Sequence, residues 1–317
     1  MNGFGLAYVA LAAKDVPAAA RVLGELLGLP RRDLDYAGSR APTFALGETA
    51  LALFAPGDPF LGEEARPGVH HLAFAADDPA RAGAALARAG FRTAPAPGDA
   101  VALDPAETNG VRLRLSPPLG LGIGRSEHAE RIDHIGIASA DNAAAIATFA
   151  GRLGLPVESQ QTDMEVRIAV ESFTSDRYGV VYHTRPPVPV GGLRVAFLTA
   201  GDCELEFLQS FDPNQAGQVA HGSSGDTRQD QGAIARFVAA RGPGLHHLAF
   251  KAPEIDRTLA HLRAAGVPLI DHEGRPGSRR ARIGFCHPEA MAGVLIHAVE
   301  RDRRGPAPDP PPADQGP

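Results

Sequence analysis

The sequence predicts an α+β protein made of two duplicated halves, each built of strand–helix–three-strand modules. Three observations carry this expectation. The segment Gly244-Leu245-His246-His247-Leu248-Ala249-Phe250 has an earlier copy in Gly68-Val69-His70-His71-Leu72-Ala73-Phe74. Leu27-Gly28-Leu29-Pro30 is echoed by Leu153-Gly154-Leu155-Pro156. Around these markers the pattern of strand, helix and three strands restarts along the chain, the mark of a tandem duplication. At 317 residues the chain has room for two domains of roughly 100–200 residues each.

Each element has a local signal. Leu6 to Leu11 reads as a strand, Asp15 as a helix cap, and Val16 to Leu27 as an alanine- and leucine-rich helix stopped by Gly28-Leu29-Pro30. Strands Thr43–Leu46 and Thr49–Phe54 flank a tight turn at Gly47-Glu48. The His70-His71 strand, a helix from Pro79 to Ala89 closed by Gly90, and strands near Ala100–Leu103 and Val111–Leu115 complete the first half. Residues 1–117 form that half, 118–130 (rich in Gly, then charged) a linker, and 131–301 the second half. There the pattern restarts with strand Ile132–Ile137, a cap at Asp141 and a helix, then strands Leu193–Leu198 and Cys203–Leu208. After His247 come a helix from Glu254 to Ala265 and strands Ala281–Cys286 and Val294–Val299. The extra length of this half falls in a hairpin, Val166 to Thr184 turning at Ser175-Asp176-Arg177, and in a polar loop, Asp212 to Asp230, expected to be mobile. The proline-rich tail 302–317 is expected to be disordered.

Composition narrows the function. A hydrophobic share of 44% and a charged share of 21% are those of a soluble globular protein. A net charge of −6, with the arginines spread out, argues against a nucleic-acid surface. No stretch reaches the roughly 18–20 consecutive apolar residues of a membrane span, and the N-terminus does not read as a signal peptide. Cys203 and Cys286 form neither a disulfide framework nor a zinc spacing, and read as buried thiols in a cytoplasmic protein.

Several segments of the second half together resemble the vicinal oxygen chelate superfamily, which includes glyoxalase I, methylmalonyl-CoA epimerase, extradiol dioxygenases and bleomycin-resistance proteins. They are Asp133-His134-Ile135-Gly136-Ile137-Ala138, Leu193-Arg194-Val195-Ala196-Phe197-Leu198, Glu204-Leu205-Glu206-Phe207-Leu208, Ile234-Ala235-Arg236-Phe237, Gly244-Leu245-His246-His247, and His287-Pro288 through Gly293-Val294-Leu295-Ile296. The similarity is strongest to the epimerase branch, over residues 131–301. It implies two cups, each of two strand–helix–three-strand modules, with ligands to one divalent metal ion on the first and last strands of each module. Those places hold His134, Glu206, His247 and His297. Strand alternation puts His134 with Gly136, Glu206 with Glu204 and His297 with Leu295, leaving the apolar residues between them for the other face. Imidazole and carboxylate together suit Zn, Fe, Co, Ni or Mn.

The resemblance implies a metal-dependent isomerase or epimerase acting on a small substrate with a carbonyl or vicinal oxygens, a proton moving through an enolate. Glu206 and His297 are the candidate bases, with Glu204, Tyr182 and His183 further out. The runner-up is an Fe(II)-dependent extradiol or 2-oxo-acid dioxygenase; a ligand-binding or resistance protein without turnover and a metal-dependent lyase or hydrolase are further alternatives. The pattern departs from the epimerases in two places: His297 replaces a last-strand glutamate, and Val190 or Gly191 stands where a catalytic glutamate is expected. In the first half Tyr8, Ala52 and Arg114 take the places of His134, Glu206 and His297, and only His71 remains. That half is expected to lack a metal set and to support the fold, pack on the active half or help a homodimer form.

Overall fold

The computed structural model describes residues 5–62, 65–167, 170–184, 186, 188–211 and 232–301. The first module runs β1 (Leu6–Ala12), α1 (Val16–Arg21, continued by the π-helical turn Val22–Leu26), β2 (Arg31–Tyr36), β3 (Ser39–Leu46) and β4 (Thr49–Phe54). The second runs β5 (Gly68–Ala75), α2 (Pro79–Arg88), β6 (Thr93–Ala96), β7 (Ala100–Leu103) and β8 (Leu113–Ser116). The third holds β9 (Arg131–Ala138), α3 (Asn142–Ile146, continued by the π-helical turn Ala147–Arg152) and β10 (Val157–Arg167). It goes on with the hairpin β11 (Val170–Ser175) and β12 (Gly179–Thr184), then β13 (Val188–Ala200) and β14 (Cys203–Phe211). After α4 (Gly232–Arg241), the fourth has β15 (Gly244–Lys251), α5 (Ile255–Ala264), β16 (Arg275–Pro276), β17 (Arg282–Phe285) and β18 (Ile296–Glu300).

The two halves repeat one topology. One eight-stranded sheet has the order β2-β3-β4-β1-β5-β8-β7-β6, the other β10-β13-β14-β9-β15-β18-β17-β16. In each, the first strands of the two modules pair antiparallel at the centre (β1 with β5, β9 with β15), and each also pairs parallel with the last strand of its own module. The expected hairpin forms and stands apart as a two-stranded sheet.

The structure corrects the sequence reading at the sheet edges. β2, β6 and β10 were not foreseen as strands, and β16, also at an edge, is only two residues long. An edge strand pairs on one side only and carries polar or proline residues that discourage further pairing, so alternation fails to reveal it. β2 reads Arg-Arg-Asp-Leu-Asp-Tyr and is largely exposed. The helix expected over Val16 to Leu27 is α-helical only to Arg21; its last turn widens, with Leu27 N donating to Val22 O at 2.8 Å. α4, quoted above only as part of a motif, was not foreseen as a helix. The expected mobile loop and disordered tail lie outside the described residues.

Caps fix where the helices begin. Asp15, Asp78 and Asp141 each accept a backbone N–H of the first turn through the side chain. At α5 the cap comes from elsewhere: Glu300 at the end of β18 accepts Ile255 N at 2.8 Å. Strand alternation then sorts the core. Val9, Leu51, Leu72, Ile135, Leu205, Phe207, Leu248 and Ile296 face the helices and share one apolar cluster that runs through both halves. His261 of α5 approaches the Leu26 carbonyl at 3.0 Å, and Arg152 lies 3.7 Å from the centroid of the Phe91 ring, so the helical layers of the two halves touch.

Phe207, fully buried between Glu206 and Leu208, packs its ring 4.8 Å from that of Phe149. Phe207→Ala is expected to lower the unfolding free energy by about 3–5 kcal/mol through lost burial and the cavity left behind. Urea denaturation checks this.

Candidate metal centre

The concave face of the second sheet gathers the four residues singled out above. His134 lies on β9, Glu206 on β14, His247 on β15 and His297 on β18, all buried. One ring nitrogen from each histidine can be chosen so that all lie within 4.8 Å of one another. Glu206 Oε2 lies 3.2 Å from His134 Nε2 and 3.5 Å from His247 Nε2, and those two nitrogens are 3.5 Å apart. His297 completes the group, with ring centroids 5.0 Å from His134 and 4.9 Å from His247. Glu206 thus stands beside two of the three imidazoles.

Backbone register brings these groups together. His247 on β15 sits opposite Gly136 on β9, and a Cβ at Gly136 would meet the His247 ring at 2.0 Å. Only a residue without a side chain lets the imidazole lie across the neighbouring strand. The outer contacts orient the rings. Asp133, itself buried, accepts from His134 Nδ1 at 2.8 Å and from Arg301 Nε at 3.0 Å, leaving His134 Nε2 directed at Glu206. His246 Nδ1 meets His247 Nδ1 at 2.9 Å and leaves His247 Nε2 for the centre.

Electrostatics separates the three imidazoles. Burial pushes the His134 pKa down, but the charge of Glu206 and the hydrogen bond to Asp133 outweigh it and hold the value at about 9. Burial, reinforced by the neighbouring histidines, keeps His297 well below the usual range, and burial keeps His247 low. Two neutral imidazoles therefore stand beside a His134–Glu206 pair that holds one proton in the metal-free protein. Both ring nitrogens of His297 are buried with no hydrogen-bond partner. An unpaired buried polar group is costly, and neutral imidazole nitrogens beside a carboxylate form a donor set suited to a divalent ion. The space between the donors is about 30 Å³, room for an ion or a water but not for an organic substrate.

Other expected residues fall elsewhere. Glu204 pairs with Arg279, which also meets Glu158 at 2.7 Å, so its carboxylate is engaged. Tyr182 and His183 sit on the exposed hairpin and do not line this cavity. Conversely, Asp163 on β10 was missed. It is buried, accepts from Ser278 Oγ at 3.0 Å and Gln161 Nε2 at 2.8 Å, and burial pushes its pKa up to about 6 against those hydrogen bonds. Its only signal was a lone carboxylate in a polar stretch that did not read as a strand.

Register also confirms the counterparts in the first half. Ala10 pairs with Ala52 and His71 as Gly136 pairs with Glu206 and His247, and Ala73 pairs with Arg114 as Ala249 pairs with His297. Tyr8, Ala52, His71 and Arg114 thus occupy the four places, and His71 Nε2 lies 3.5 Å from the Tyr8 hydroxyl.

Two duplicated cups, one with three imidazoles and a carboxylate on its concave face, define a class of protein that comparison with known proteins identifies. A family model described as the Glyoxalase/Bleomycin resistance protein/Dioxygenase superfamily matches residues 133–286, and a second model of the same superfamily matches residues 5–104. The chain belongs to this superfamily, the vicinal oxygen chelate proteins. It is 28% identical over 170 residues to the uncharacterized protein YqjC of Bacillus subtilis (strain 168), covering 54% of this chain and 91% of that one. It is 22% identical over 111 residues to the mitochondrial methylmalonyl-CoA epimerase of Bos taurus, covering 35% of this chain and 54% of the epimerase. A mutant 4-hydroxymandelate synthase from Streptomyces coelicolor, 16% identical, shares the fold over 96% of this chain and 95% of its own with a TM-score of 0.59.

Gly136→Ala is expected to push the His247 ring off its place and to cost about 1–3 kcal/mol of stability, the usual price of overpacking. Urea denaturation measures the loss, and a crystal structure of the variant locates the displaced ring.

Proposed function

We propose that the chain is a divalent-metal-dependent isomerase or epimerase that moves a proton on the carbon beside a carbonyl of a small oxygenated substrate. The observation that carries this reading is the His297 imidazole, buried with both nitrogens unpartnered among two histidines and Glu206. In it, His134, Glu206, His247 and His297 hold the ion, residues 131–301 form the catalytic half, 118–130 link it to the first half, and 1–117 carry no metal set. Bound there, a divalent ion acts as a Lewis acid that makes the hydrogen beside a coordinated carbonyl easier to remove.

The chain's residues supply the rest. Asp133 and Arg301 hold His134 in one orientation, and Gly136 lets His247 approach. Glu206 would take the substrate proton and return it, with His297 as the second candidate base. Asp163, buried, bonded to Ser278 and with its pKa raised to about 6, is a further titratable group close enough to Glu206 to feel its charge. A second reading has a specific basis: His134, His247 and Glu206 alone make a two-histidine-one-carboxylate set, the arrangement used by Fe(II) oxygenases.

Metal analysis of the purified full-length protein tests the site. His247→Ala is expected to lower metal content at least about tenfold, in line with the loss of a ligand, and His71→Ala to leave it unchanged. Equal losses from both would place the site across the halves.

Metal affinity should also follow pH. His134 holds a proton up to about pH 9 in the metal-free protein, and the ion must displace it. Apparent affinity should therefore rise about tenfold per pH unit between roughly pH 7 and 9. Because this pKa is raised on folding, its contribution to the stability of the metal-free protein is complete below about pH 6.5 and is lost as pH rises through about 9. Metal titration and urea denaturation at several pH values check both slopes.

The reaction class is tested with candidate 2-substituted acyl and 2-oxo compounds in heavy water without oxygen. Deuterium should enter the carbon beside the carbonyl. Turnover that requires oxygen and washes in no deuterium would establish the oxygenase reading instead.

A further inference from the structure

The two cups differ at one further pair of equivalent positions. In the second half Phe285 on β17 stands opposite His297, and the two rings lie 4.2 Å apart. In the first half the pair is Ala102 on β7 opposite Arg114 on β8. Beside it opens a cavity of about 430 Å³, against about 30 Å³ in the second half. A methyl group in place of a phenyl ring leaves room, and a guanidinium in place of an imidazole sets a permanent positive charge at the wall.

That charge has no counter-ion among the described residues. Arg114 Nη2 donates to the Phe60 carbonyl at 3.0 Å, and the guanidinium carbon lies 4.7 Å from the centroid of the Phe60 ring. Nη1 is buried with no hydrogen-bond partner, and no Asp or Glu pairs with Arg114 among the described residues. The nearby histidines add no further positive charge: burial, with Arg112 and Arg114 adding to it, keeps His70 down at about 3 and His71 well below its usual range. Arg112 lines the same cavity and adds a second positive charge, while Leu61, Leu103 and Leu113 supply apolar wall. No Asp or Glu lines it among the described residues.

From this geometry we propose that the first half binds a small organic carboxylate, its carboxylate on Arg114 and Arg112 and its apolar body against the leucines. Two guanidinium groups at one wall favour an anion, and charge-assisted hydrogen bonds to a carboxylate are among the strong ones. Mostly apolar walls favour an organic body over a hydrated inorganic anion, and the volume lies within the roughly 300–1,000 Å³ of small-molecule sites. The proposal does not depend on the reaction assigned to the other half.

Calorimetric titration of the full-length protein with benzoate tests it, with benzamide and inorganic phosphate as parallel probes. Benzoate should bind with a Kd below about 1 mM, and benzamide and phosphate at least about tenfold more weakly, a difference of about 1.4 kcal/mol. Arg114→Met, which keeps the length of the side chain, should weaken benzoate at least about tenfold. Ala102→Phe, which gives the first half the residue of the second, should do the same with Arg114 in place, so the test stands even where Arg114→Met does not fold. His247→Ala should leave benzoate binding intact. Absence of benzoate binding, benzamide or phosphate binding as tightly, or benzoate binding that survives Ala102→Phe and disappears in His247→Ala would each overturn the proposal.

Discussion

The close approach of β9 and β15 at Gly136 and His247 governs much of the second half. These strands join two modules into one sheet, and their pairing puts an imidazole over backbone where any side chain would collide with it. With that contact in place, parallel pairing of β14 to β9 and of β18 to β15 brings Glu206 and His297 to the same concave surface. The donors meet through a duplicated strand register, with no two of them adjacent in sequence. Glu206 and His297 come from the last strands of their modules, so the site forms only when both modules have folded.

Duplication then allows the halves to diverge without disturbing the shared core. The helix-facing residues of both sheets stay apolar and merge into one cluster, because alternation keeps them apart from the concave face. On that face the first half carries Tyr8, Ala52, His71 and Arg114, surrounded by Tyr36, Phe54 and Phe60. Its aromatic lining packs where the second half gathers imidazoles. One scaffold thus presents three imidazoles beside a carboxylate in one cup and a guanidinium beside a larger space in the other.

The electrostatic arrangement in the second cup follows from burial. Isolated, each imidazole would be driven neutral, and His247 and His297 are. His134 escapes because two carboxylates flank it, Glu206 on the side of the centre and Asp133 behind. Arg301 in turn holds Asp133, so the chain of contacts from Arg301 through Asp133 and His134 to Glu206 sets both the direction and the charge of one donor.

The sequence by itself determined the repeated modules, the central strands, the capped helix starts and the four concave-face residues of each half, because short-period alternation and duplicated motifs are local. The family resemblance pointed to His134, Glu206, His247 and His297, and alternation within each strand was compatible with one shared face. The edge strands stayed hidden, since β2 and β10 are largely polar and β6 is a short Thr-Ala-Pro-Ala stretch, so none carries an alternating apolar signal. With β10 went Asp163, whose burial depends on Ser278, more than a hundred residues away. Distances among the donors, the orphaned nitrogens of His297 and the contrast between Phe285 and Ala102 were decided only in three dimensions. Each depends on register and on which distant side chain fills the space opposite, and such non-local packing leaves no periodic trace in the chain.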